Sequence, residues 1–125
     1  MAERSPELTQ FYADVIIGAT EGGTNYWAFS RNYKWSDEDP STTTVEYCDM
    51  EFYGTPDEEW HTVTVDTIAK AFGIIMGPKE EIKHLHSTSR ARYSRAQRAY
   101  DFGELDAGDA DNIVQVGIFG EVVYG

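Results

Sequence analysis

Leu8, Phe11, Tyr12, Val15, Ile16 and Ala19 recur at the spacing of a single helical face. Ser5 is placed to cap that helix, Pro6 suits its first position, and Glu7 complements the positive end of its dipole. Gly22-Gly23 is expected to stop it through a left-handed conformation. The period then shortens. Residues 26–35 are rich in aromatics and predict a strand, with Trp27, Phe29 and Arg31 on one side and Tyr26, Ala28 and Ser30 on the other. Residues 42–53 predict a second strand in which Thr43, Val45, Tyr47, Asp49 and Glu51 alternate with Thr44, Glu46, Cys48, Met50 and Phe52. After a turn at residues 54–59, a short third strand spans residues 61–65.

The helical period returns at Asp66, a candidate N-cap for a helix that turns Ile68, Ala69, Phe72 and Ile75 inward. Gly77-Pro78 breaks it. A further helix is expected to start near Pro78 or Lys79, with a narrow seam of Ile82, Leu85, Ser89, Tyr93, Ala96 and Tyr100 and a possible break at residues 86–89. Asp106 or Asp109 can cap a last segment that is apolar nearly all round. Its β-branched residues also permit a strand, but the acidic lead-in favours a buried helix. The pattern as a whole predicts a single α+β domain over residues 1–125. An N-terminal helix leads into a small antiparallel sheet of about three strands, and two or three C-terminal helices follow. Leu8, Phe11, Val15, Ile16, Ile113, Val114, Ile118 and Phe119 are the expected core.

Composition adds two constraints. With 41% hydrophobic and 14% aromatic residues, the chain is no disordered acidic tail. No run reaches the roughly 20 apolar residues of a membrane span, and the opening Met-Ala-Glu-Arg-Ser-Pro-Glu lacks the pattern of a secretory leader. Cys48 is the single cysteine and has no partner for an internal disulfide, which fits a reducing compartment. A cytoplasmic protein without membrane attachment is expected.

Charge changes the picture more. The net charge is -12, and ten of 22 acidic residues fall between Asp37 and Asp66, a stretch with no Lys or Arg. Lys79, Lys83, Arg90, Arg92, Arg95 and Arg98 gather in one later segment against only Glu80 and Glu81. Such polarity bears on partners and solubility rather than on fold. The arginines, with Tyr93 and Tyr100 nearby, are candidates for contacting a partner or a phosphate-bearing ligand. The overall negative charge argues against nucleic acid as that partner. An acidic surface that imitates DNA is a weaker alternative.

Catalytic patterns are sparse. His84 and His86 would point about 200° apart on a helix, so they cannot share a metal. Neither Asp37-Glu38-Asp39 nor Asp57-Glu58-Glu59 has the spacing and glycine turn of a calcium loop. Gly22-Gly23 follows a helix rather than preceding one, which disfavours a phosphate cradle. Asp49 and Glu51 share a strand face but are expected to face solvent. No Gly-x-Ser-x-Gly or Cys-His nucleophile motif occurs. Neither metal, cofactor nor catalytic residue is expected, and the protein is read as no enzyme.

Three blocks carry a resemblance: Glu21-Gly22-Gly23 with Tyr26-Trp27; Val65-Asp66-Thr67-Ile68-Ala69; and Asp109 to Gln115 continuing through Phe119-Gly120-Glu121-Val122-Val123-Tyr124-Gly125. In these the chain resembles small, largely uncharacterised proteins of actinobacterial phages, prophages and plasmids. Thr24-Asn25 departs from the more apolar link of that group, and the arginine-rich segment is particular to this chain. The resemblance implies a mobile-element protein inside a bacterial cell and carries no activity with it. Glu21, Tyr26, Trp27, Gln115, Glu121 and Tyr124 are the polar and aromatic members of these blocks. They either satisfy one another in the core or line a pocket. The resulting expectation is a non-enzymatic acidic interaction protein that binds a host protein or defence factor. Glu21, Tyr26, Trp27, Arg90, Arg92, Arg95 and Arg98 are its candidate contacts, and a homo-oligomer is possible. The alternative is a protein that sequesters a small nucleotide-like ligand.

Overall fold

The computed structural model describes residues 4–125. The leader-free reading of the N-terminus lies partly outside them, at residues 1–3. Helix α1 spans Pro6–Gly22, with the Ser5 hydroxyl accepting from the Leu8 amide as the sequence predicts. Strands β1 (Ala28–Lys34), β2 (Thr44–Asp49) and β3 (His61–Thr64) form one antiparallel sheet in the order β1-β2-β3. Helices α2 (Val65–Ile75), α3 (Ser87–Ala99) and α4 (Ala107–Phe119) follow, so the fold is α+β and the last apolar segment is helical.

One face of the sheet is buried through Val45, Tyr47 and Val63. These join Phe11, Val15 and Ile16 of α1, Ile68, Phe72 and Ile75 of α2, and Ile113 and Val114 of α4 in a continuous core. Leu8, Ile118 and Phe119, expected inside, are only half-buried at its edge. Helix α4 packs on both α1 and α2, whereas α3 lies outside and touches α2. Two glycines permit these approaches. A Cβ on Gly23 would stand 2.3 Å from the Ala107 carbonyl oxygen, and one on Gly117 would stand 2.7 Å from that of Thr67. Gly23 has φ -108°, so it serves close packing rather than the left-handed stop that the sequence predicts.

Two boundaries also differ. Thr64, not Asp66, caps α2: its side chain and that of Thr67 satisfy each other's backbone amides in a capping box. Asp66 sits in the first turn and pairs with Arg4 at 3.0 Å. Helix α3 starts at Ser87, not near Lys79, with the His86 ring accepting from the Thr88 amide. Residues 78–86 form a loop in which His84 has a positive φ of 63° and Ile82 and Leu85 are joined by an isolated bridge. Both side chains reach the core without a helix to carry them.

Candidate partner-docking face

The face of the sheet that turns away from the helices is built by cross-strand pairs. Phe29 stands opposite Cys48, and Arg31 stands opposite Glu46, which in turn faces Thr62. The turn from β2 to β3 carries an aromatic residue at each end, Tyr53 and Trp60, and brings both onto this face. The Phe29 and Tyr53 rings meet edge to face at 4.9 Å, and Tyr53 and Trp60 do so at 6.2 Å. The Arg31 guanidinium lies over Trp60, with Cζ 3.9 Å from the ring centroid. It donates twice to Glu46 Oε1, while Asn32 donates to Oε2. Phe29, Ser30, Arg31, Tyr53, Glu58 and Trp60 enclose a cleft of about 440 Å³.

This cluster remains exposed. Phe29 keeps 43% of its surface accessible and Tyr53 keeps 53%; Phe52 and Met50 on the same turn are exposed as well. Glu51, Asp57, Glu58 and Glu59 are exposed on that turn, and among the described residues none of them forms an ion pair. Glu58 accepts from the Gly54 amide and from the Trp60 indole. These two bonds hold its carboxyl below the ordinary range, so it stays ionised at neutral pH. An aromatic surface beside a carboxylate-rich turn has both the contact area and the sign of field to attract a cationic, partly apolar partner.

The sequence-predicted residues fall elsewhere. Trp27 is buried, and its indole N–H donates to Asp111 Oδ1 at 2.8 Å, while the Tyr26 hydroxyl donates to Oδ2 at 2.6 Å. Gln115 donates to Asp111 Oδ1 and accepts from the Val123 and Tyr124 amides. Tyr124 stacks on Trp27 at 4.8 Å. Tyr26-Trp27 and the C-terminal block from Asp111 to Tyr124 thus satisfy one another. Burial pushes the Asp111 carboxyl up despite these three donors, and burial and Asp111 together push the Tyr26 phenol up. Glu21 is apart from this network and accepts from the Tyr33 hydroxyl.

The arginines do not form one free stripe. Arg90 fans its N–H groups over the carbonyls of Ile74, Ile75, Gly77 and Glu80, closing the end of α2. Arg92 makes a two-pronged pair with Asp109, at 2.5 and 2.8 Å. Arg95 approaches Glu104 at 3.8 Å, and both are well exposed. Arg98 is exposed in the last turn of α3. The loop before α3 borders a broad basin of about 850 Å³ that holds Lys79, Lys83, His84 and His86, but also Glu80 and Glu81.

Asp49 is buried, against the expectation of a solvent-facing carboxylate, and its Oδ1 accepts from the Glu51 amide. Glu51 is exposed, so the two do not form a matched pair. His61 meets the Phe119 ring edge-on, whereas His84 and His86 lie by the loop and not on one helix. Among the described residues, no three His, Cys, Asp or Glu side chains are grouped as cation ligands, and no helix is long and apolar enough to cross a membrane.

Sequence reading missed Phe29, Arg31, Tyr53 and Trp60 as a group. The available signal was the pair of aromatics flanking an acidic turn between two strands, which a hairpin must bring close together. No protein-family model, curated protein or solved structure matches the chain.

Proposed function

We propose that this protein is a non-enzymatic interaction protein of a phage or other mobile element. It acts in the bacterial cytoplasm by binding a host protein or defence factor through the outer face of its sheet. The observation that carries this reading is the exposed Phe29–Tyr53–Trp60 cluster on an acidic turn whose carboxylates have no cationic partner within the described chain. Exposed aromatic clusters rimmed by polar residues mark interaction surfaces. The arginines support a different role from the expected one, because Arg90 and Arg92 are engaged inside the fold.

The basin beside α3 favours a second reading, sequestration of a nucleotide-like ligand by Lys79, Lys83 and the loop histidines. Freshly purified protein with the ultraviolet absorbance of a nucleobase would support that reading over the first.

The test of the first reading is capture from a bacterial host lysate at low salt, followed by binding measurements with the purified partner. Reversing Asp57 and Glu59 to Lys together with Tyr53→Ala should abolish binding, with melting unchanged. Arg98→Glu should leave it intact. Equal binding by all these variants would remove the sheet face from consideration.

A further inference from the structure

We infer that the cleft between Phe29, Tyr53 and Trp60 is a socket for an arginine side chain of the protein partner, a deepening that rests on the docking reading above. Three observations point to a guanidinium. The protein already places one there: the Arg31 guanidinium lies over the Trp60 ring, with Cζ 3.9 Å from its centroid, while two of its N–H groups reach Glu46. Planar guanidinium groups stack on aromatic faces and bond carboxylates in the same plane, whereas an ammonium does neither so well. The rim holds a further carboxylate in position. Glu58 uses one oxygen for the Gly54 amide and the other for the Trp60 indole. An ionised carboxylate offers about four acceptor sites, so both oxygens keep capacity for an incoming donor pair.

The charge balance selects the same occupant. Arg31 is neutralised by Glu46, and Glu51, Asp57, Glu58 and Glu59 leave the turn strongly negative. A cleft of about 440 Å³ lined by three aromatic rings, the Glu46-paired Arg31 and the Glu58 carboxylate has room for the planar end and methylene stem of one arginine. A second copy of the same face is excluded by like charge, since a two-fold contact would set acidic turn against acidic turn.

The experiment uses the full chain and three short peptides, glycine-spaced and capped, with two Arg, two Lys or two Gln. Binding is followed by the indole N–H resonance of Trp60, identified through Trp60→Phe. The Arg peptide should shift this resonance saturably, bind about two- to fivefold more tightly than the Lys peptide, and leave the Trp27 resonance unmoved. The Gln peptide should produce no shift. Tyr53→Ala, at an exposed position, should remove the preference for Arg over Lys, and Glu58→Gln should weaken both peptides. Equal affinity for Arg and Lys, or a preference that survives Tyr53→Ala, would overturn the socket. A captured partner still lost on Tyr53→Ala with the Asp57 and Glu59 reversals would then preserve the docking reading alone. A partner indifferent to those changes would overturn the docking reading instead.

Discussion

Trp27 and Asp111 are 84 residues apart, yet the indole N–H of one meets a carboxylate oxygen of the other at 2.8 Å inside the protein. Asp111 is 2% exposed and also accepts from Tyr26 and Gln115. Gln115 in turn holds the backbone of Val123 and Tyr124. One carboxylate therefore fastens the entry to β1, helix α4 and the C-terminal segment together. Removing it leaves buried donors without a partner, and that penalty exceeds the worth of a single bond. Asp111→Ala should lower stability by about 3 kcal/mol or more, and Trp27→Phe by about 1.5–3 kcal/mol. Urea denaturation measures both, and a midpoint shift no larger than that of an exposed control substitution would contradict the network.

The Arg92–Asp109 pair predicts a specific response to acid. Burial raises the Asp109 carboxyl, but the Arg92, Asp106 amide and Tyr93 bonds outweigh it and leave the folded value below the ordinary 3.8. A carboxylate with a depressed folded value contributes stability above the unfolded value and loses it as pH falls through the folded one. Asp109→Asn should therefore melt well below wild type at pH 7, with the gap closing below pH 3.8. Asp111 acts with the opposite sign, because burial raises its folded value, so its ionised form weakens the fold as pH rises through that value. Melting curves of Asp109→Asn, Asp111→Asn and wild type across pH separate the two. A constant gap for Asp109→Asn would reject the pairing.

Arg90 predicts the difference between a structural and a partner-facing arginine. Its guanidinium covers four carbonyls at the end of α2 and the loop beyond. A lysine carries the same charge but cannot spread planar donors over four acceptors. Arg90→Lys should cost about 1–3 kcal/mol, as expected for buried acceptors left unmade. Arg98→Lys, at an exposed position, should be neutral. Equal melting of the two variants would show that charge alone matters at Arg90.

Local signals predict local structure here. Ser5, the α1 face and the helix-capping acid before α4 are readable because cap and stripe lie within a few residues of each other. The capping role went to Thr64 rather than Asp66 because Thr67 supplies the reciprocal bond, a choice that two neighbouring caps leave open in sequence. Helix α3 starts late because Pro78 and the left-handed His84 bend the chain while tertiary contacts still bury Ile82 and Leu85, which imitates a helical seam. The distribution of charge along the chain showed that it is polarised but could not show which charges are used inside. Arg90 and Arg92 belong to the fold because their partners lie 10 to 17 residues away in sequence, beyond any helical repeat. The docking face depends on pairings of β1 with β2 and on the path of a turn, so its residues look like ordinary strand aromatics until register is known.

Cys48 offers a way to watch the aromatic face from beneath. Its thiol is fully buried on the side of β2 that carries Phe29 as cross-strand partner. Burial is also the main reason that its pKa is raised, so little thiolate exists at neutral pH. Alkylation of the native protein should therefore be orders of magnitude slower than that of the unfolded chain. Truncating the cover with Phe29→Ala should accelerate it at unchanged global stability, because opening becomes local rather than global. Tyr53→Ala should accelerate it less, since Tyr53 meets Phe29 edge to face and Phe29 is the cross-strand partner of Cys48. A labelling rate that follows the global unfolding rate in all three proteins would mean that the turn and the aromatic cluster open only when the whole sheet does.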